Sequence, residues 1–125
     1  MATAEAASTG SLRKDISNAI VQVMHDYTGR GPTRARTYLS ENFVAVLLQE
    51  TMTTAERNLA TSGEGDFVLG IRQKFQMTMR DDCVARIEEL TGRKVRAFMS
   101  ANHVDPDIAA ELFVLEPEPS VDGLR

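Results

Sequence analysis

The longest uninterrupted apolar stretch of the chain is residues 43–48, FVAVLL, and no other feature restricts the fold as much. It is far shorter than the about 20 residues a helix needs to span a bilayer. It is dense in Val, Phe and Leu and does not alternate with polar residues, which is the pattern of a strand buried on both faces. A central strand is therefore expected, and the rest of the chain has to supply its neighbours and its covers.

The segment just before it, residues 33–40 (TRARTYLS), does alternate. Ala35, Thr37 and Leu39 fall on one side and Arg34, Arg36 and Tyr38 on the other, as in a strand with one wet face. Glu41-Asn42 separates the two segments, so they read as a hairpin in which Asn42 takes the positive φ of the turn. A second hairpin is expected from residues 94–102 (KVRAFMSAN) and 108–116 (IAAELFVLE), joined around Asp105-Pro106-Asp107, where Pro presets φ.

Helical spacing accounts for the remainder. From Ser11, the residues Leu12, Ile16, Ala19, Ile20, Val23, Met24 and Tyr27 recur every three or four positions and define one amphipathic face. Gly29 or Gly31 ends that helix, and Pro32 cannot extend it. Thr53 and Glu56 have capping-box spacing, which predicts a short helix over 54–61. After Ser62–Gly65 (SGEG), a long helix carries Ile71, Phe75, Met79, Cys83, Ile87 and Leu90 and stops at Thr91-Gly92.

The order α-β-β-α-α-β-β implies an α+β fold: a four-stranded, mostly antiparallel sheet made of two hairpins, with helices packed on it. At 125 residues the chain fits one core. A single domain is expected over 11–116, between a flexible N-terminus (1–10) and a flexible C-terminal tail (117–125). Residues 43–48 are apolar on both sides, and 108–116 turns Leu112 and Val114 one way and Phe113 and Leu115 the other. Two layers would leave one such face in water. Either the first helix crosses to cover it or a second subunit does, and the expectation is a homodimer or larger assembly.

Function classes narrow from composition. A formal charge of −4 repels polyanions, so no nucleic-acid partner is expected. The first residues lack an apolar export core. The single cysteine, Cys83, can make neither an internal disulfide nor a zinc site by itself. A cytoplasmic protein without cofactor, metal or direct membrane insertion is expected.

The stretch GRGPTRART, residues 29–37, has the glycines of a phosphate loop in the wrong context, because a helix precedes it and a strand follows. Arg30, Arg34 and Arg36 with Tyr38 are nevertheless candidates for an anion- or partner-binding face. Alternate residues on a strand stand roughly 7 Å apart, a spacing that can bracket a carboxylate or phosphate. The competing reading is a charged edge that discourages sheet-to-sheet aggregation. His103, near Asp105, joins the candidate set, but a His–Asp pair without a nucleophile does not make a catalytic site. His25 sits in the last turn of the first helix, where positive charge is favoured. The doublets Asp81-Asp82 and Glu88-Glu89 diverge by about 100° on a helix and do not converge on an ion.

Three pieces in this order, Gly29-x-Gly31-Pro32, Thr53-x-x-Glu56-x-x-Leu59 and Glu89-Leu90-Thr91-Gly92-Arg93-Lys94-Val95, resemble the MpsC-like family. These are small bacterial domains named for a Na+-translocating, membrane-potential-generating system, and the resemblance covers residues 11–117. It implies no catalytic residues. It implies a peripheral or regulatory subunit of a membrane ion or inorganic-carbon system, with a membrane transport protein as partner. Many members carry a more aromatic and acidic third strand than Phe98-Met99-Ser100-Ala101-Asn102-His103 here. The expected function is a non-enzymatic, oligomeric interaction or regulatory module. The alternatives are a small-anion or small-ligand sensor and, less favoured, a soluble enzyme with a cleft near Arg34, Arg36, Tyr38 and His103.

Overall fold

The structure is a computed structural model that describes residues 2–117. Its elements are α1 (Ala2–Thr28), β1 (Arg34–Ser40), β2 (Phe43–Gln49), α2 (Thr54–Thr61), α3 (Gly65–Thr91), β3 (Val95–His103) and β4 (Ile108–Leu115). The expected α-β-β-α-α-β-β order is present, and the four strands form one antiparallel sheet in the order β1-β2-β4-β3. The two most apolar strands, β2 and β4, are central, and the two mixed strands are the edges.

Helix α1 begins at Ala2, nine residues before the Ser11 start read from the periodicity. Ala has the highest intrinsic helix propensity, and the ATAEAAS segment contains no residue that stops a helix, so the backbone continues upstream of the amphipathic face. Gly29 ends the helix with φ +77°, its N–H bonding the His25 carbonyl at 2.8 Å. Gly31 has a different role, since a Cβ there would lie 3.4 Å from Val21 Cγ1.

The β1–β2 loop is Glu41-Asn42, with Ser40 paired to Phe43. The positive φ falls on Glu41 (45°) and not on Asn42. A two-residue loop with positive φ at its first position alone twists with the strands, so position in the loop decided the conformation over side-chain preference. The capping box of α2 is complete: Thr53 Oγ1 accepts from the Glu56 N–H, and Glu56 Oε1 accepts from the Thr53 N–H at 2.9 Å. The expected tail from residue 117 lies, beyond that residue, outside the described residues.

One core holds the layers together. Ile16, Ile20, Val23 and Met24 of α1 and Met79, Cys83 and Ile87 of α3 meet Val44, Val46 and Leu48 of β2 and Ala109, Phe113 and Leu115 of β4. Both long helices thus lie on the same side of the sheet. The first helix does not cross over, and among the described residues nothing covers the other side. Tyr27 of α1 donates to Asp82 of α3 at 2.6 Å, which fastens the helices to each other at the surface.

Candidate functional site: an open sheet face and a buried polar seam

The strand register sorts side chains into two faces. On the open face stand Arg34, Arg36 and Tyr38 of β1, Phe43, Ala45, Leu47 and Gln49 of β2, Ile108, Ala110, Leu112 and Val114 of β4, and Ala97, Met99, Ala101 and His103 of β3. The centre of this face is wholly apolar, with Phe43 37% and Met99 47% exposed. A contiguous apolar surface rimmed by polar groups is the usual mark of an interaction site.

The structure brings together part of the candidate arginine set. The Arg36 guanidinium lies 5.8 Å from the Tyr38 ring centroid, a cation–π distance. Arg34, Arg36 and Tyr38 line a shallow recess of about 480 Å³ with Thr33, Ala35, Leu47 and Gln49. Arg30 lies outside it, in the α1–β1 connection, where its N–H bonds Thr28 Oγ1. His103 is at the opposite edge: the row Arg34–Gln49–Ile108–His103 crosses all four strands, roughly 14 Å at the usual strand spacing. Its Nδ1 is bonded to the Pro106 carbonyl at 2.8 Å, so it secures the β3–β4 turn.

A second polar constellation was invisible to periodicity. The buried stripe of α3 is Val68, Arg72, Gln76, Met79, Cys83 and Ile87, so two of its first three members are polar, and Ile71 and Phe75 are only half-buried. Arg72 Nη2 donates to Thr51 Oγ1 (2.7 Å), which donates in turn to Asp107 Oδ1 (3.0 Å). Arg72 Nη1 reaches the Thr51 carbonyl at 3.3 Å and Glu56 Oε1 at 3.5 Å, and Asp107 Oδ2 accepts from the Met52 N–H at 2.9 Å. One guanidinium thereby ties α3, α2, the end of β2 and the β3–β4 turn. The signal was present as the spacing 68–72–76–79, which extends the Met79 stripe backward through two polar residues.

One turn on, Gln76 and Asn102 exchange amide hydrogen bonds at 2.8 and 3.1 Å, and Gln76 Nε2 also donates to Glu111 Oε1 at 3.0 Å. Ser100 Oγ holds the other Glu111 oxygen. Glu111 is 1% exposed in the middle of β4. Burial raises its pKa to about 7, against the opposing hydrogen bonds from Ser100 and Gln76 and the charge of Arg72.

Burial, then the Glu111 and Asp82 charges, pushes the Cys83 thiol up to about 12. A thiol in that state lacks the thiolate that reacts. Iodoacetamide should therefore label native Cys83 at pH 8 at least about a hundredfold more slowly than the unfolded chain, as read by intact mass. Equal labelling rates would show that the helix–sheet core opens freely.

A further recess of about 360 Å³ lies beside α2, lined by Glu50, Met52, Arg57, Ala60, Thr61, Val104, Asp105 and Asp107. Among the described residues no group of three or more His, Cys, Asp or Glu side chains is placed to hold a metal ion.

The short motifs have structural work of their own. Gly92 is left-handed at the end of α3, Thr91 Oγ1 bonds the Ile87 carbonyl at 2.7 Å, and Glu88 Oε2 accepts from the Val95 N–H. Arg93 donates to the Glu41 and Glu116 carbonyls and to Asn42 Oδ1, clamping the start of β3 to the first hairpin. The family described as "Na+-translocating membrane potential-generating system (MpsC)" matches residues 8–117. The chain belongs to the MpsC family. A relative in Bacillus subtilis (strain 168), "Uncharacterized protein YbcI", is 32% identical over 94 residues, which is 73% of this chain and 74% of the relative. No solved structure is a significant match. The three pieces that carried the MpsC resemblance fall at the α1 stop, the α2 cap and the α3–β3 joint, where they set helix ends and strand starts.

Proposed function

We propose that this MpsC-family protein is a non-enzymatic, oligomeric interaction module that docks through its open sheet face. The observation that carries this reading is the apolar centre formed by Phe43, Ala45, Leu47, Ala110, Leu112, Val114 and Met99, with the described helices packed on the opposite side. The dispersal of reactive groups supports it: His103 is engaged with Pro106, and Cys83 is buried with its pKa raised. The family description, a Na+-translocating membrane potential-generating system, supports a partner at a membrane ion system. Among the described residues no helix is long and apolar enough to cross a membrane, so the role in such a system is that of a peripheral accessory subunit. Arg34, Arg36 and Tyr38 then form the charged margin of the docking face.

Native mass spectrometry of the protein gently isolated from its own cells tests this. The wild type is expected to carry a second polypeptide, and the double variant Ala45→Lys, Leu47→Lys to lose it. Both residues point away from the core, so the melting temperature should stay within about 3 °C. A wild type that carries no other polypeptide, or a variant that keeps it, overturns the docking role of the face. An anion sensor centred on Arg34, Arg36 and Tyr38 is the second reading. It requires the recess at that edge to take phosphate or bicarbonate and raise the melting temperature.

A further inference from the structure

We infer that two copies of the chain join by pairing the outer edges of their β3 strands, which extends the sheet to eight strands. This rests on the oligomeric part of the reading above and not on what docks against the open face.

The two edges of the sheet are unequal. Edge strand β1 carries Arg34 and Arg36, charges of the kind that discourage strand addition. Edge strand β3 is longer, and from Ala97 to Asn102 it carries no charge at all. Among the described residues its outer backbone groups face no other strand. A long, uncharged edge is the form that accepts another strand.

The ends of β3 select a second copy as the strand that adds. Exposed Lys94 and Arg96 stand at its start, and exposed Asp105 stands in the turn at its finish. An antiparallel pairing of β3 with itself about a dyad near Met99 and Ser100 sets each basic end beside the partner's acidic end. Such a pairing is isologous, so one arrangement satisfies both ends at once.

The helix layer agrees. A recess of about 390 Å³ runs between α3 and this edge, bordered by Gln73, Met77, Arg80 and Phe98, and Met77 is 72% exposed. A dyad perpendicular to the sheet keeps both helix layers on one side, so the second α3 comes to lie along this recess and covers Met77. The same operation leaves the two open faces side by side as one apolar platform, with the arginine-bearing β1 strands at its far ends.

Charge reversal tests the pairing. Sedimentation velocity of the wild type should show a dimer at micromolar concentration. Asp105→Lys places three cations together at each end and should weaken the dimer at least about tenfold, with an unchanged melting curve of the monomer. Adding Lys94→Glu and Arg96→Glu to Asp105→Lys should restore the wild-type dissociation constant to within about threefold, since the charges are then exchanged and not removed. The open-face variant Ala45→Lys, Leu47→Lys should remain dimeric even where it loses its docked polypeptide. A monomeric wild type, a dimer indifferent to Asp105→Lys, or loss without rescue by the triple variant overturns the β3 pairing. Dissociation by the open-face variant alone would assign self-association to that face instead.

Discussion

Replacement of Arg72 by Met is expected to cost about 3–5 kcal/mol, the usual penalty when one partner of a buried ion pair is removed. Arg72 is 3% exposed and is the cation bonded to Glu56, which is itself buried and whose Oε2 has no hydrogen-bond partner. Met fills much of the same volume, so the loss is chiefly electrostatic. It leaves the Glu56 carboxylate with only the Thr53 N–H and hydroxyl, and it strips Thr51 of its donor. For a domain of this size that corresponds to a fall in melting temperature on the order of 15 °C. Adding Glu56→Gln should recover a substantial part, because the uncompensated charge disappears with it. Arg57→Met, on the exposed side of α2, should change stability by less than about 0.5 kcal/mol. A loss below about 1 kcal/mol for Arg72→Met would show that the seam is solvated in the folded protein and that the guanidinium is not its keystone.

The second large effect is a stability that declines as pH rises from about 4.5 to about 7. Glu111 has its pKa raised from 4.5 to about 7, with burial the leading cause. Between those values the folded protein holds a proton that the unfolded chain has released, so the slope of unfolding free energy against pH is negative there. The carboxyl's contribution is greatest below about pH 4.5 and is lost by about pH 7, a swing on the order of 3 kcal/mol. The groups that face it are Gln76, Arg72 and Cys83 from α3 and Ser100 from β3, and of these only Arg72 carries a compensating charge. Glu111→Gln removes the ionisation while keeping an acceptor for Gln76. Urea titrations at pH 5 and pH 8 should give the variant a much flatter dependence than the wild type and the higher stability at pH 8. Parallel curves for the two proteins would place the pH dependence on other groups.

The proposed β3 pairing bears on these measurements, because a dimer would tie apparent stability to protein concentration. Both titrations are therefore best run at two concentrations. The seam itself lies on the helix side of the sheet, so the effects of Arg72 and Glu111 should be the same at either concentration once any dimer contribution is subtracted.

Much of the fold was legible in short stretches. The α2 cap is a local contract between Thr53 and Glu56, three residues apart, and it formed as the spacing predicted. The faces of β1 and β4 followed alternation, with Thr37, Phe113 and Leu115 inside and Arg36, Leu112 and Val114 outside. Less of the candidate site could be read. Arg34, Arg36 and Tyr38 were found because they share one strand face, and a strand face is a local property. That His103 stands at the far edge from them depends on the β1-β2-β4-β3 order, which no local pattern encodes. Arg72, Gln76 and Glu111 escaped because a hydrophobic period counts apolar residues, whereas these polar side chains are bonded by partners 11 to 35 residues away.

The sequence by itself therefore determined which segments are helix or strand, which side of β1 and β4 turns inward, and the family to which the chain belongs, since caps, alternation and left-handed glycines act over a few residues. The tertiary structure alone decided that α1 and α3 share one side of the sheet, that a buried carboxylate and guanidinium are paired within the core, and that, among the described residues, one apolar face and the uncharged edge from Ala97 to Asn102 are left open. Those outcomes depend on strand order and on contacts between distant segments, where the energy of a residue is set by its neighbours in space and not by its neighbours along the chain.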